Sequence, residues 1–290
     1  MQLGETLRAA IQRLSQEQVP SSRMNAELLL MFILGCDRAY LYGHPERELT
    51  TEERARYEKA LTERAKGVPA QYITGHQEFW GMDFIVSPAV LIPRPETEHL
   101  VERVLDLLSD WRGVLAAPQE VSKKPRLIDV GTGSGCIALA LAKELPQVEV
   151  HATDISPEAL EIARTNAARL DLRDRVTFHR TDLLAGMDPG FDVVVSNPPY
   201  VGLAEEDQVQ LEVRKFEPRT AVFAGQSGLE IIERLVPQAL AVLKPRGWFV
   251  MEMSGTIAAK AQKLLSGWTN LGVAPDLQGI PRVLSAQKPS

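Results

Sequence analysis

Arg126-Leu127-Ile128-Asp129-Val130-Gly131-Thr132-Gly133-Ser134-Gly135-Cys136 decides the fold. An apolar run of strand length ends in three glycines at alternate positions, and residues 136–145 continue with helical spacing. Glycines in a first strand-to-helix turn let a ligand lie against the backbone, and the helix that follows presents free N–H groups. Outward from this turn, strand and helix alternate. Residues 149–154 read as a strand, and Ser156-Pro157 opens a helix with serine as N-cap and proline at the first helical position. Strands follow at 176–179 and 191–196. After a long loop come a helix over 229–243, a strand over 247–253 and a helix over 256–266. Segments 272–277 and 282–287 close the chain as a hairpin. This order predicts an α/β fold, a Rossmann-like doubly wound parallel sheet with one terminal antiparallel strand.

Asp154 ends the second strand about twenty residues after the glycine turn, where a carboxylate accepts hydrogen bonds from a ribose diol. The glycine turn alone is equally compatible with NAD. Its spacing is G-x-G-x-G rather than G-x-G-x-x-G, and Cys136 stands where the third fingerprint glycine would be. S-adenosylmethionine (SAM) has no pyrophosphate to cradle and tolerates that looser pattern. Mostly because Asn197-Pro198-Pro199-Tyr200 lies at the end of the fourth strand, close to this loop, Gly131, Thr132, Gly133, Ser134, Gly135 and Asp154 are expected to hold SAM. Asp182-Leu183, after the third strand, is placed to meet an adenine, Asp182 by a hydrogen bond and Leu183 by covering the ring; Asp182 is equally readable as a helix cap.

At the end of the fourth strand stands Asn197-Pro198-Pro199-Tyr200. A conjugated NH₂ group is a poor nucleophile, and an enzyme gains by fixing its two N–H bonds. The Asn197 side-chain oxygen and the Pro198 carbonyl are two adjacent acceptors suited to this. Both prolines have fixed φ and lack an N–H, and each holds the residue before it extended. Tyr200 offers an aromatic face to a flat amide or base. The bland alternative is a tight turn leaving a strand. Asn197 to Tyr200 are therefore the candidate catalytic and substrate-binding residues, with Asn197 also beside the cofactor. Arg94, between prolines in Ile92-Pro93-Arg94-Pro95-Glu96-Thr97-Glu98, is a further candidate to face substrate. That segment otherwise reads as a stiff lead into a helix.

Composition narrows the function classes. The 290 residues carry 44% hydrophobic residues, ordinary for a globular chain with a sizeable core. Cys36 and Cys136 lie far apart in helical patterns, which fits a reducing cytosol rather than a disulfide framework. His44, His76, His99, His151 and His179 show no ligand spacing, so no metal site is expected. The longest apolar run, residues 28–34, is too short to span a bilayer, and the N-terminus has neither signal nor transit character. A cytoplasmic protein is expected. The net charge of −6 argues mildly against direct nucleic-acid binding.

Residues 1–75 read as a small helical bundle that recognises a partner or packs on the main domain. Leu3, Leu7, Ala10, Ile11 and Leu14 repeat at helical spacing, as do Ala26, Leu29, Leu30, Ile33 and Leu34 after Ser21-Ser22. Thr50 with Glu53 fits a capping box, and the helix it opens should stop at Gly67. Residues 76–95 form a linker with a hairpin around Trp80-Gly81, and 96–290 the catalytic domain. The stretch 201–223 reads as a long loop at the substrate mouth that orders when peptide binds.

Taken together, Pro69-Ala70-Gln71-Tyr72-Ile73-Thr74-Gly75, Leu91 to Glu98, Asp129 to Gly135, Ser196 to Tyr200 and Glu217-Pro218-Arg219 resemble, in order, the motifs of the SAM-dependent N5-glutamine methyltransferases that modify peptide chain release factors. The match covers essentially the whole chain. Leu183 departs, standing where some relatives carry an aromatic residue. The resemblance implies a class I SAM-dependent methyltransferase fold and, as substrate, the glutamine of the Gly-Gly-Gln motif of class 1 release factors. It also implies that the N-terminal bundle helps to dock the factor. Rival readings are a ribosomal-protein glutamine methyltransferase, a DNA or RNA amino-methyltransferase, which would need base flipping, and a SAM-binding scaffold without activity.

Overall fold

The computed structural model describes residues 2–109 and 124–290. It divides into two compact units, one comprising Met1–His76 with Gln210–Phe216, the other Gln77–Val209 with Glu217–Ser290.

The first unit is helical: α1 Leu3–Gln16, α2 Ser22–Leu34, α3 Arg38–Gly43, α4 Thr51–Ala65 and α5 Ala70–Thr74. Leu3, Leu7, Leu14, Leu29, Leu30, Tyr57 and Leu61 form its core. Thr50 and Glu53 make the expected capping box: the Thr50 hydroxyl accepts from Glu53 N at 3.1 Å, and the Glu53 carboxylate from Thr50 N at 2.9 Å. Ser21 behaves otherwise, lying in the left-handed region (φ 50°) with no side-chain cap; Ser22 Oγ instead donates back to Val19 O at 2.8 Å.

Arg64, 3% exposed, gathers this unit. Its Nε donates to Asn25 Oδ1 at 2.8 Å and Nη1 to Val68 O at 3.2 Å, while Nη2 pairs with the Glu212 carboxylate. Glu212 lies on a short helix, Leu211–Phe216, that returns from deep in the sequence to this unit. Arg64→Met should destabilise the protein by about 2 kcal/mol, because buried Asn25 and half-buried Glu212 lose their shared donor. Thermal melts should show the loss, and limited proteolysis should reveal new cleavage within 210–216.

The second unit begins with the hairpin β1 His76–Phe79 and β2 Met82–Ile85. Trp80 (φ 55°) and Gly81 (φ 65°) are both left-handed, as a two-residue type I′ turn requires. A 3₁₀ turn, Pro95–Thr97, leads into α6 Glu98–Leu107. Then follow β3 Arg126–Val130, α7 Cys136–Glu144, β4 Glu149–Asp154, α8 Pro157–Arg169, β5 Val176–Arg180 and β6 Phe191–Ser196. The stretch expected as a loop carries three short helices, a 3₁₀ helix over Leu203–Gln208, α9 Leu211–Phe216 and α10 Arg219–Val222. Val201 bridges Phe223 across its ends. The chain closes with α11 Glu230–Val242, β7 Leu243–Glu252, α12 Ala258–Leu264, β8 Thr269–Pro275 and β9 Pro281–Gln287.

The seven-stranded sheet runs β5-β4-β3-β6-β7-β9-β8. The β3, β4, β5, β6 and β7 pairings are parallel, and β9 is antiparallel to both neighbours, so one strand opposes the rest, as the terminal hairpin predicts. Apolar residues point to both faces of the central strands because helices cover both faces. Leu127, Val193, Val195 and Val250 face α6 and α7, whereas Ile128, Val194, Phe249 and Met251 face α11 and α12. Strand order reverses between β3 and β6, and such a switch point opens a crevice at the carboxyl ends of the strands.

Candidate active site

A cavity of about 320 Å³ lies at that crevice, within the usual range for small-molecule sites. Its walls bring together most of the sequence-predicted residues: Arg94, Gly131, Thr132, Gly133, Ser134, Asp154, Asp182, Leu183, Asn197 and Pro199. Gly135, Pro198 and Tyr200 are not among the residues that line it. Pro218, Thr220, Ala221 and Phe223, from the far end of the 201–223 stretch, also line the cavity.

The glycine turn is held from below. Gly131, Gly133 and Gly135 have φ of 73°, 55° and 84°. A β-carbon at Gly131 or Gly133 would meet no protein atom within 4 Å, so the space beside these two backbones is open. Gly135 has a different duty, since a β-carbon there would lie 3.2 Å from both Ala163 and Leu139 side chains where α7 and α8 meet. Asn166, fully buried, donates Nδ2 to Ser134 O and Ile85 O and accepts from Ile85 N, tying the turn to β2.

Asp129 is fully buried beneath the turn, its Oδ2 accepting from Thr132 Oγ1 at 2.6 Å and Ala138 N at 3.2 Å. Oδ1 has no partner among the described residues. Burial pushes this carboxyl up to about 7, against the lowering effect of the Thr132 and Ala138 bonds. Between the ordinary aspartate value near 4 and about 7, the folded state keeps a proton that the unfolded chain has released. Stability is therefore lost as pH rises through that window. Asp129→Asn should flatten the fall in denaturation midpoint between pH 5 and pH 8. It should not abolish it, because burial also raises Asp154 and Glu252.

Asp154 ends β4 with Oδ2 accepting from Gly133 N and Oδ1 from Ser156 N, each at 2.9 Å. The carboxylate lines the cavity and, beside its backbone donors Gly133, Ser156 and Ile155, can still accept from a ligand. Asp182 caps no helix: turns follow it, and its carboxylate pairs with Arg234 of α11. Arg94 pairs with Glu217, whose other oxygen accepts from Ile92 N at 3.1 Å. This explains the Arg94 and Glu217 motifs as one tie, leaving part of the guanidinium exposed at the cavity wall.

At the end of β6, Asn197 Nδ2 donates to Thr97 Oγ1 at 3.2 Å, and the Tyr200 hydroxyl donates to Glu252 Oε1 at 3.1 Å. Burial, and after it the neighbouring Glu252, push the Tyr200 phenol above its ordinary value, so it stays neutral. Thr97, Glu252, Asn166 and Arg234 were not singled out by sequence reasoning. Only Glu252 left a signal, as a lone acid in the apolar run 247–253.

The donors and walls fit SAM: open backbone at Gly131 and Gly133, a carboxylate with spare acceptor sites at Asp154, and the apolar surfaces of Leu91, Ile155 and Leu183. Residues 113–215 match the family model described as Methyltransferase small domain, and residues 5–75 the one described as PrmC N-terminal domain. The fold is shared with the hMettl16 catalytic domain, solved with the MAT2A 3'UTR hairpin 6, at TM-score 0.56 and 18% identity, covering 82% of each chain. The molecule is thus a class I SAM-dependent methyltransferase. A release factor glutamine methyltransferase from Koribacter versatilis is 56% identical over 292 residues, covering 100% of both chains. One from Rhodopirellula baltica is 40% identical, covering 92% of this chain and 90% of its own. The chain belongs to the release factor glutamine methyltransferase family.

Proposed function

We infer that the protein transfers a methyl group from SAM to the side-chain nitrogen N5 of the glutamine in the Gly-Gly-Gln motif of class 1 peptide chain release factors, and so modulates translation termination. The observation that carries this reading is full-length identity with curated release factor glutamine methyltransferases, at 56% for the Koribacter protein. It favours a glutamine over a nucleic-acid amino group, as does the net charge of −6.

When bound, SAM supplies a methyl group made electrophilic by its sulfonium and leaves as S-adenosylhomocysteine. The Gly131 to Gly135 backbone holds it, Asp154 takes the ribose hydroxyls, and Asp182 with Leu183 borders the adenine. Asn197 Oδ1 and the Pro198 carbonyl accept the two N–H bonds of the substrate amide and aim its nitrogen. Tyr200 packs beside the amide plane. Arg94 contacts the incoming peptide. One N–C bond forms and one S–C bond breaks, and the alkylated amide, now strongly acidic, releases a proton to solvent. Positioning of this kind is worth about 7–11 kcal/mol in the best intramolecular systems, enough to dispense with a general base.

The helical unit docks the release factor, and the protein works in the cytoplasm beside the translation machinery without direct nucleic-acid contact. No helix among the described residues is long and apolar enough to cross a membrane. The test is to incubate the protein with isotopically labelled SAM and separate pools of release factors, ribosomal proteins and DNA, then map the labelled atom by mass spectrometry. Label on the Gly-Gly-Gln glutamine is expected. Label in DNA, or on any residue other than glutamine, would overturn the reading.

A further inference from the structure

Behind Asn197 and Tyr200 lies a pair of buried polar residues that no step of the transfer uses. Thr97 and Glu252 are each 2% exposed. Thr97 ends the Pro95–Thr97 turn, and Glu252 ends β7 among Val250, Met251 and Met253 of the core. Glu252 Oε1 takes the Tyr200 hydroxyl, and Oε2 has no hydrogen-bond partner among the described residues; burial pushes this carboxyl above its ordinary value, with Thr97, Tyr200 and Arg282 opposing the shift. An unpaired carboxylate oxygen in a core costs stability, and an apolar residue of similar volume would be cheaper there. A liability of this kind at the rim of a reaction site points to a duty in the reaction.

The chemistry of a primary amide supplies the duty. Its C=O and NH₂ ends are nearly equal in shape, yet only the oxygen can accept an N–H from a substrate. Something must therefore choose which end faces the cavity. With the Thr97 hydroxyl oxygen accepting from Nδ2 of Asn197, the bond observed at 3.2 Å, Oδ1 is left at the opposite end of the amide. We propose that Thr97 is a positioning residue that locks the Asn197 amide with Oδ1 turned away from Thr97 toward the substrate nitrogen. The proposal rests on the glutamine methyltransferase reading above.

The test compares Thr97→Val, which keeps the shape and removes the hydroxyl, with Thr97→Ser, which keeps the hydroxyl, using a class 1 release factor as substrate and calorimetry for SAM affinity. Thr97→Val should lower kcat about 10- to 100-fold with KM and the SAM Kd within about threefold of wild type. Thr97→Ser should restore kcat to within about threefold. In an Asn197→Ala background, adding Thr97→Val should cost less than about twofold, since the group it positions is already gone. Equal losses in the valine and serine variants, near wild-type kcat in Thr97→Val, or full additivity with Asn197→Ala would each overturn the proposal. Thr97→Ala carries the same expectation should the valine variant not fold, and failure of both to fold would mark Thr97 as structural and overturn it too. A wild-type protein that leaves release factor glutamine unmodified would sink the underlying reading instead.

Discussion

Asn197→Ala is expected to slow methyl transfer to a release factor about a hundredfold to a thousandfold while the protein still folds and binds SAM. The side chain lies at the cavity wall, at the carboxyl end of β6 and one strand from the glycine turn. Truncation removes the acceptor on which the substrate N–H would rest, and leaves the Pro198 carbonyl as the lone remaining guide. An amide nitrogen with a delocalised lone pair then samples many orientations, few of them in line with the methyl group. Stability should fall by about 1 kcal/mol, the value of one hydrogen bond to Thr97. Single-turnover transfer, a thermal melt and a SAM titration separate the three effects. Transfer within about fivefold of wild type, with folding and SAM affinity intact, would remove Asn197 from the mechanism.

What was legible in the sequence follows from how each element is held. The central strands read clearly from the alternation of strand and helix, and their ends match the structure at Arg126–Val130, Glu149–Asp154 and Phe191–Ser196. Local devices read equally well. The Thr50–Glu53 box, the Ser156 cap and the left-handed Trp80-Gly81 pair are each specified within four residues. Apart from Ser21, which lies left-handed without capping its helix, the misses are non-local. The helix Leu211–Phe216 is fixed by Arg64, 148 positions away, so the stretch 201–223 looked like a bare loop. Asp182 is neutralised by Arg234, 52 positions on, and no local pattern distinguishes that from a cap. Strand β7 begins at Leu243, before Gly247, because Leu243 pairs with Phe191 ahead of a register shift that hides the pairing from any period-2 pattern. In the site, the residues that lend chemical types to a motif were visible, whereas those that hold them, Thr97 and Glu252, were not. Glu252 shows only as a lone acid in an apolar run, which marks it without saying what it holds, and buried Thr97 has no signature apart from its neighbours in space.

The tetrapeptide is also held from its far side, and Gly228→Ala should expose that support. Gly228 has φ +80°, and a β-carbon there would lie 2.5 Å from Tyr200 O, 3.0 Å from Gly202 N and 3.2 Å from Tyr200 C. These are backbone atoms and cannot rotate aside. The two stretches are already bonded in register, Val201 N to Val222 O at 3.1 Å, Ala224 N to Val201 O at 3.0 Å and Leu203 N to Gly225 O at 2.8 Å, so neither can retreat without breaking its partners. Left-handed backbone costs an alanine about 1–2 kcal/mol, and overpacking adds about 1–3, for an expected loss near 4 kcal/mol. A fall in Tm of about 8–15 °C follows for a unit of this size. The shift should also reach the reaction, because Pro198 and Pro199 leave little slack between Tyr200 and Asn197. We expect kcat to drop about tenfold or more at temperatures where the variant is fully folded, with SAM affinity nearly unchanged because the glycine turn is distant in sequence and separately braced by Asp129 and Asn166. A variant that melts early yet turns over at the wild-type rate below its Tm would show that the amide clamp is held by the Thr97 side alone.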